Sequence, residues 1–412
     1  MSDVGTAAAT RRPGDLRNYA LVTAAYWADT IADGAIRLLV LFYFYEQGYT
    51  PLQLATVFVF YEVFGILTNL VGGFLAARFG LKTTLVMGLL TQTVALLMLG
   101  LAPDDWLVVG YVMAAQALSG IAKDLTKMSS KSAVKLVAGD QPGSLYRWVA
   151  ILTGSKNALK GVGFFLGGLL LTVTSFQTAM LLLAALVFGT LLATVPFMSG
   201  SLGRADAKAR FRQMFSNDRA VNLLAAARIL LFASRDVWFV VGLPVFLRTV
   251  LGWSFWGVGT FMAFWVIGYG IVQASAPRLM SGRRAGHGAP DGRVAARLAF
   301  VLALFPAAIA IALGAGLDPT VVLIGGLILF GVVFALNSAV HSYLILAYAD
   351  GDKVAMNVGF YYMANAGGRL LGTILSGLLY QWRGLEACLW VSAVFVLLAG
   401  AVSLLLPREP SA

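Results

Sequence analysis

Twelve apolar stretches, each close to the length that crosses a bilayer, leave this chain little room to fold as anything but a bundle of membrane helices. A spanning helix needs about 20 apolar residues, because in lipid every backbone amide must be satisfied within its own segment. The stretches fall at 19–45, 52–77, 83–101, 106–125, 148–174, 178–198, 221–247, 257–280, 298–317, 320–348, 354–382 and 387–406. Only 12% of the 412 residues are charged and 59% are hydrophobic. A soluble domain carries about twice that charged share. The predicted fold class is an all-α polytopic membrane protein, its 12 transmembrane helices arranged as two pseudo-symmetric six-helix bundles.

The connections alternate in character. Pro103-Asp104-Asp105, Ser175-Phe176-Gln177 and Asp318-Pro319 are short, whereas 127–147, 199–220 and 281–297 are longer and basic. Of 30 Lys and Arg, seven lie inside the spans, Arg278 sits at the end of one beside the basic loop 281–297, and two, Arg248 and Arg383, fall in loops of one parity. All the others fall in the termini and the loops of the opposite parity, which the positive-inside rule places in the cytoplasm. The net charge of +11 is therefore a topology signal, and nucleic acid is not an expected partner. The lipid bilayer is. The expected organisation is a cytoplasmic tail at 1–18, a six-helix bundle at 19–198, a cytoplasmic central loop at 199–220, a second bundle at 221–406 and a cytoplasmic tail at 407–412. Residues 1–18 lack a signal-peptide cleavage pattern, so the first span is read as uncleaved.

The lone cysteine, Cys388, sits in an apolar run and reads as a core residue. One thiol builds no disulfide, zinc site or soft-metal cage. No nucleotide-binding loop, metal-ligand cluster or nucleophile with its base is present. Neither an enzyme, nor a cofactor, nor a resident metal is expected, and a membrane enzyme or receptor is the weakest class.

The chain repeats. At an offset of 209, Lys160 falls on Arg369, Gly163 on Gly372, and Leu166, Gly168, Leu169 and Leu170 on Leu375, Gly377, Leu378 and Leu379. Near an offset of 204, Gly48-Tyr49-Thr50 falls on Gly252-Trp253-Ser254. Such parallel repeats are related by an axis along the membrane normal. Twelve spans in two halves joined by a basic loop resemble the major facilitator superfamily. The run Gly73-Phe74-Leu75-Ala76-Ala77-Arg78-Phe79-Gly80-Leu81-Lys82 is similar to its signature loop, with Ala77 where an aspartate is usual and Leu81 where a basic residue is usual. The run Gly163-Phe164-Phe165-Leu166-Gly167-Gly168 resembles the glycine motif of the family's antiporters, with Phe164 in place of a proline. The resemblance implies secondary transport, with the third span of each triplet on the outside.

A charge at the bilayer centre costs about 3 kcal/mol on insertion scales, so such groups face a cavity or a partner. The stretches 83–101, 178–198, 298–317 and 387–406 hold no Asp, Glu, Lys or Arg. The intramembrane charges lie elsewhere. Asp29, Asp33 and Arg37 are four apart on one helix face; Lys156 and Lys160 share a face of a helix without an acid; Arg228, Arg235 and Asp236 share another helix. Asn365 and Arg369 are four apart, again without an acid in their span, and so are Asn337 and His341. Lys123, Lys127 and Lys131 form a stripe that reads either as an interface anchor or as an anion funnel. The surplus is positive. Arginine forks and lysine point charges suit phosphate and carboxylate oxygens. The expected substrate-binding residues are Arg37, Lys123, Lys156, Lys160, Arg228, Arg235, Asn365 and Arg369. Asp29, Asp33, Glu62, Asp236 and His341 are expected either to couple protons or to hold the cations in place.

Four segments narrow the resemblance: Tyr26-Trp27-Ala28-Asp29-Thr30 with Asp33-Gly34-Ala35-Ile36-Arg37, Gln116-Ala117-Leu118-Ser119-Gly120-Ile121-Ala122-Lys123-Asp124-Leu125, the stretch 153–168, and Ser234-Arg235-Asp236-Val237-Trp238-Phe239-Val240-Val241. Together they are similar to the organoarsenical efflux permeases (ArsJ). That resemblance implies export of 1-arseno-3-phosphoglycerate across the inner (plasma) membrane for arsenate resistance. It also implies a functional link to the glyceraldehyde-3-phosphate dehydrogenase that makes this ester. A proton-coupled drug or sugar-phosphate carrier of the same superfamily is the alternative.

Overall fold

The structure, a computed structural model, describes residues 13–138, 142–198, 218–280, 290–348 and 354–407. Residues 1–12 of the expected tail at 1–18, residues 408–412 of that at 407–412 and most of the central loop, 199–217, lie outside the described residues. All regular structure among the described residues is helical. The first half comprises α1 (Pro13–Glu46), α2 (Pro51–Val57), α3 (Val59–Phe79), α4 (Leu81–Leu101), α5 (Val109–Ala138), α6 (Pro142–Val173) and α7 (Phe176–Thr194). The second comprises α8 (Arg219–Phe239), α9 (Gly242–Thr249), α10 (Phe255–Met280), α11 (Gly292–Gly314), α12 (Pro319–Ala347) and α13 (Val354–Ser403).

Twelve spans emerge once three helices are read correctly. α2 and α3 are one span interrupted at Phe58, and α8 and α9 are one span interrupted at Val240 and Val241. α13 runs 50 residues but turns at Gly384, whose φ of 74° only glycine adopts without strain, so it holds two spans. Thr50 opens α2 with a capping box: its hydroxyl accepts from Gln53 N, and the Gln53 side chain accepts from Thr50 N.

Eight stretches among the described residues are long and apolar enough to cross a membrane. The last of them, Gly359–Ser403, covers both spans of α13. The spans outside that set, α1, α5 and α6, carry Asp29, Asp33 and Arg37, then Lys123, Asp124 and Lys127, then Lys156 and Lys160. Their hydropathy is lowered by the residues that would face a polar interior.

The sequence expectation of a long basic loop at 127–147 is corrected. α5 continues to Ala138 and α6 begins at Pro142, so most of that stretch is helix. Polarity marked where the apolar run ended, not where the helix ended: lysine is a good helix former, and Asp124 pairs with Lys127 one turn on. The fourth span also starts later than expected, at Val109, because Asp104–Trp106 forms a separate 3₁₀ turn. The side chains of the signature-like stretch 72–79, and that of Lys131, lie outside the described residues.

Two faces of the bundle can be named from contacts. On the near face, Arg17 donates to Phe197 O at 2.5 Å, Lys82 to Met198 O at 2.8 Å, and Tyr348 to Pro407 O at 2.9 Å. On the far face, Tyr43 stacks on Phe176 at 4.2 Å and Gln177 donates to Asp104 at 2.6 Å. The halves meet there: Phe42 lies 4.9 Å from Phe255, Leu52 N donates to Gln381 Oε1 at 3.1 Å, and Arg248 sits 3.7 Å from Glu46.

Small residues set the inner spacing. A Cβ on Gly34 would lie 2.6 Å from Lys160 O, so α1 and α6 touch backbone to backbone. Gly163 faces Gly34 across this contact, and its repeat counterpart behaves alike: a Cβ on Gly372 would lie 2.9 Å from Ala233 O, which ties α13 to α8. The charge-free stretches within α4, α7, α11 and the end of α13 turn Leu90, Leu186, Leu304 and Leu398 outward, exposed apolar side chains suited to lipid.

Candidate functional site

A cavity of about 160 Å³ lies between the halves, enclosed by α1, α3, α5 and α6 from the first and α8, α10, α12 and α13 from the second. All eight residues expected to bind substrate, Arg37, Lys123, Lys156, Lys160, Arg228, Arg235, Asn365 and Arg369, line it. Of the expected coupling residues, Asp33 and Asp236 line it as well. Glu62, Asp29 and His341 stand behind the lining and are buried. Asp29 accepts from Thr126 Oγ1 at 2.6 Å, and His341 Nδ1 has no hydrogen-bond partner among the described residues.

α6 and the first span of α13 hold no acid of their own, and their acidic partners arrive from neighbouring helices. Gly34 lets α6 come close enough for Lys160 to reach Asp33 at 3.1 Å. Gly372 does the same for α13, and Arg369 Nε comes within 3.6 Å of Asp236. The two contacts are repeat counterparts, each joining the fifth span of a half to its first. Asp29, Asp33 and Arg37, although four apart on one face of α1, do not pair with one another. Asp33 accepts from the Tyr61 hydroxyl and pairs with Lys160, while Arg37 turns to Glu62.

Glu62 joins the halves. Its Oε1 receives Arg37 Nη2 and Arg369 Nη2, each at 2.6 Å, one from each half. Arg369 passes the chain to Asp236, and Asp236 Oδ1 holds Arg235 at 2.5 Å. This Arg–Glu–Arg–Asp–Arg relay crosses the cavity toward the far face. From it the cavity extends toward the near face, where Tyr26, Lys127, Leu152, Gln273 and Tyr362 line it.

On the α5 wall, fully buried Asp124 pairs with Lys127 and stands 3.9 Å from Lys123. Lys127 also donates to Asn69 Oδ1 at 2.6 Å, and Lys123 lies 4.0 Å over the Tyr61 ring. On the α8 wall, Arg228 is held by three groups: Nε donates to Asn365 at 2.9 Å, Nη1 to Ser338 Oγ at 3.1 Å, and the guanidinium lies 4.0 Å over Phe232.

Eight cationic side chains thus line the cavity against three acids: Arg37, Lys123, Lys127, Lys156, Lys160, Arg228, Arg235 and Arg369 against Asp33, Asp124 and Asp236. Adding Glu62 and Asp29 behind the wall leaves the excess positive. Low-dielectric surroundings make that excess a strong attractor for an anion of matching size. Side chains of this kind can hold an oxyanion by charge-assisted hydrogen bonds.

Sequence reasoning passed over Tyr26, Asn69, Asn157, Tyr269, Gln273 and Tyr362, which also line the cavity. A signal existed for three of them. Asn69, Asn157 and Gln273 are amide side chains within apolar spans, and the last two join α6 to α10 by a 2.7 Å hydrogen bond. The tyrosines gave none, because aromatic residues are equally common in cores and at lipid interfaces.

The family model described as Major Facilitator Superfamily matches residues 22–338 and 288–412. No curated protein matches the sequence significantly. Among solved structures, the human organic anion transporter TETRAN is similar at 16% identity over 95% of this chain and 100% of that one, with a TM-score of 0.68. The nucleoside transporter NupG is similar at 14% identity over 95% and 100%, with a TM-score of 0.74. A POT family transporter in complex with a thioalcohol-conjugated peptide is similar at 13% identity over 94% and 96%, with a TM-score of 0.73. At these identities the likeness is one of fold.

Proposed function

The chain belongs to the Major Facilitator Superfamily, and from that premise we propose that it exports a small phosphorylated organic anion by alternating access, 1-arseno-3-phosphoglycerate above all. It is a multi-pass membrane protein of the secondary-transporter kind. The observation that carries the substrate class is the cationic excess on one buried wall, contributed by both halves. Burying so many cations is costly unless an anion repays it. A substrate with an anionic group at each end satisfies a cavity with cations at each side.

In this reading, Lys123, Lys127, Lys156 and Lys160 receive one anionic end and Arg228, Arg235 and Arg369 the other. The acids paired with Lys160, Arg235 and Arg369, namely Asp33 and Asp236, give way as the substrate enters. Glu62 keeps the far side closed by tying Arg37 to Arg369. In this reading both termini lie in the cytoplasm, on the side of the basic loops, and the protein sits in the inner membrane. The arseno-ester would be supplied by a glyceraldehyde-3-phosphate dehydrogenase acting on arsenate, and export would confer arsenate resistance. No soft ligand is needed, because pentavalent arsenic is an oxyanion.

The test is uptake into everted membrane vesicles. The ester should accumulate while free arsenate and arsenite do not. Equal uptake of free arsenate would overturn the substrate assignment, and uptake with and without an imposed proton gradient decides coupling.

A further inference from the structure

The cavity is basic on only part of its wall. Where the halves meet, Phe164 of α6, Phe232, Phe239 and Val240 at the end of α8, and Trp265 and Val266 of α10 also line it. These side chains form one continuous surface. Phe164 lies 6.0 Å from Phe239 edge to face, and Phe239 lies 5.1 Å from Trp265. The indole is fixed in place: Trp265 Nε1 donates to Leu327 O at 2.7 Å, and its ring stacks on Tyr269 at 6.0 Å. Gly331 makes room for it, since a Cβ there would come within 3.1 Å of the indole nitrogen.

Cations border this surface on both sides. Lys160 Nζ stands 6.0 Å from the Phe164 ring, and the Arg235 guanidinium stands 4.9 Å from Phe232 and 5.8 Å from Phe239. A small, fully hydrated sugar-phosphate has no use for such a wall. An apolar surface at the centre of a cationic cavity would instead attract the carbon portion of an organic anion, and aromatic faces favour a planar one.

We propose that the Phe164–Phe239–Trp265 surface is a second subsite, which takes an aryl or other apolar group attached to the anion held by Lys160 and Arg235. The carrier would then accept aryl phosphates as well as small phosphorylated acids. The proposal rests on the reading that the cavity binds phosphate esters, and its test separates the two.

Purified full-length protein is titrated calorimetrically with inorganic phosphate, methyl phosphate and phenyl phosphate. Phenyl phosphate should bind about tenfold more tightly than methyl phosphate, the gain expected from burying one ring against aromatic neighbours. In Phe239→Ala and in Trp265→Leu the ratio should fall to within about twofold. Equal affinities for methyl and phenyl phosphate in the unaltered protein would overturn the aryl subsite while leaving anion binding intact. A ratio that stays near tenfold in both variants would also overturn it. Binding of none of the three probes would overturn both the subsite and the phosphate reading beneath it.

Discussion

The two halves repeat one helical pattern, yet they line the cavity with different cations. α5 and α6 present Lys123, Lys127, Lys156 and Lys160, whereas α8 and α13 present Arg228, Arg235 and Arg369. The arginines are the more tightly oriented. Arg228 is fixed by Asn365, Ser338 and the Phe232 ring, and Arg235 by Asp236 with aromatic rings around it. A planar fork so braced fixes the orientation of an oxyanion, whereas an ammonium on a flexible stem follows it. One half is suited to register the substrate and the other to adapt to it. Only Arg37 departs from the rule in the first half, and it serves the relay through Glu62.

That relay is where the comparison can be broken most severely. Glu62→Gln leaves the facing arginines of the two halves without their shared acid. Removing one member of a buried ion network costs about 3–5 kcal/mol. The detergent-solubilised variant should melt several degrees below the unaltered protein; an unchanged melting temperature would mean that Glu62 is not a structural tie. Asp124→Asn tests the lysine wall alone. It removes the carboxylate that Lys127 contacts, and a loss of about 2 kcal/mol in thermal stability is expected, smaller because Lys127 keeps Asn69.

Swapping the cation types tests the asymmetry itself. Arg235→Lys should slow ester uptake about tenfold, whereas Lys160→Arg should slow it no more than about threefold, because only the first exchange loses a fork. Equal effects would erase the functional distinction between the halves. The smallest effect belongs to the far face. Arg248 and Glu46 are 3.7 Å apart and partly exposed, so Arg248→Ala should change stability by less than about 0.5 kcal/mol in a thermal melt.

Much of this molecule could be read from its sequence because lipid is a strict solvent. The spans followed from hydropathy, and the charges inside them had to face inward, which is why Lys156, Asn365 and the other expected binders line one cavity. What sequence did not give was pairing. Lys160 and Arg369 have no acid in their own spans, yet Gly34 and Gly372 bring Asp33 and Asp236 to them from adjacent helices. Partners across a helix interface depend on packing, which no periodicity reports. The length of α5 was missed for a related reason, since a helix can outlast its apolar run. His341, titratable and four residues from Asn337, stands behind the wall and not on it, because that placement depends on the rotation of α12.

The central claim is that cations from both halves grip one anion. Initial rates of phosphorylated-ester uptake in everted vesicles, measured for Lys160→Gln and for Arg235→Gln at matched membrane levels, test it directly. Both variants should lose uptake almost entirely. Unchanged uptake in either one would remove that half from the binding site and contradict the account.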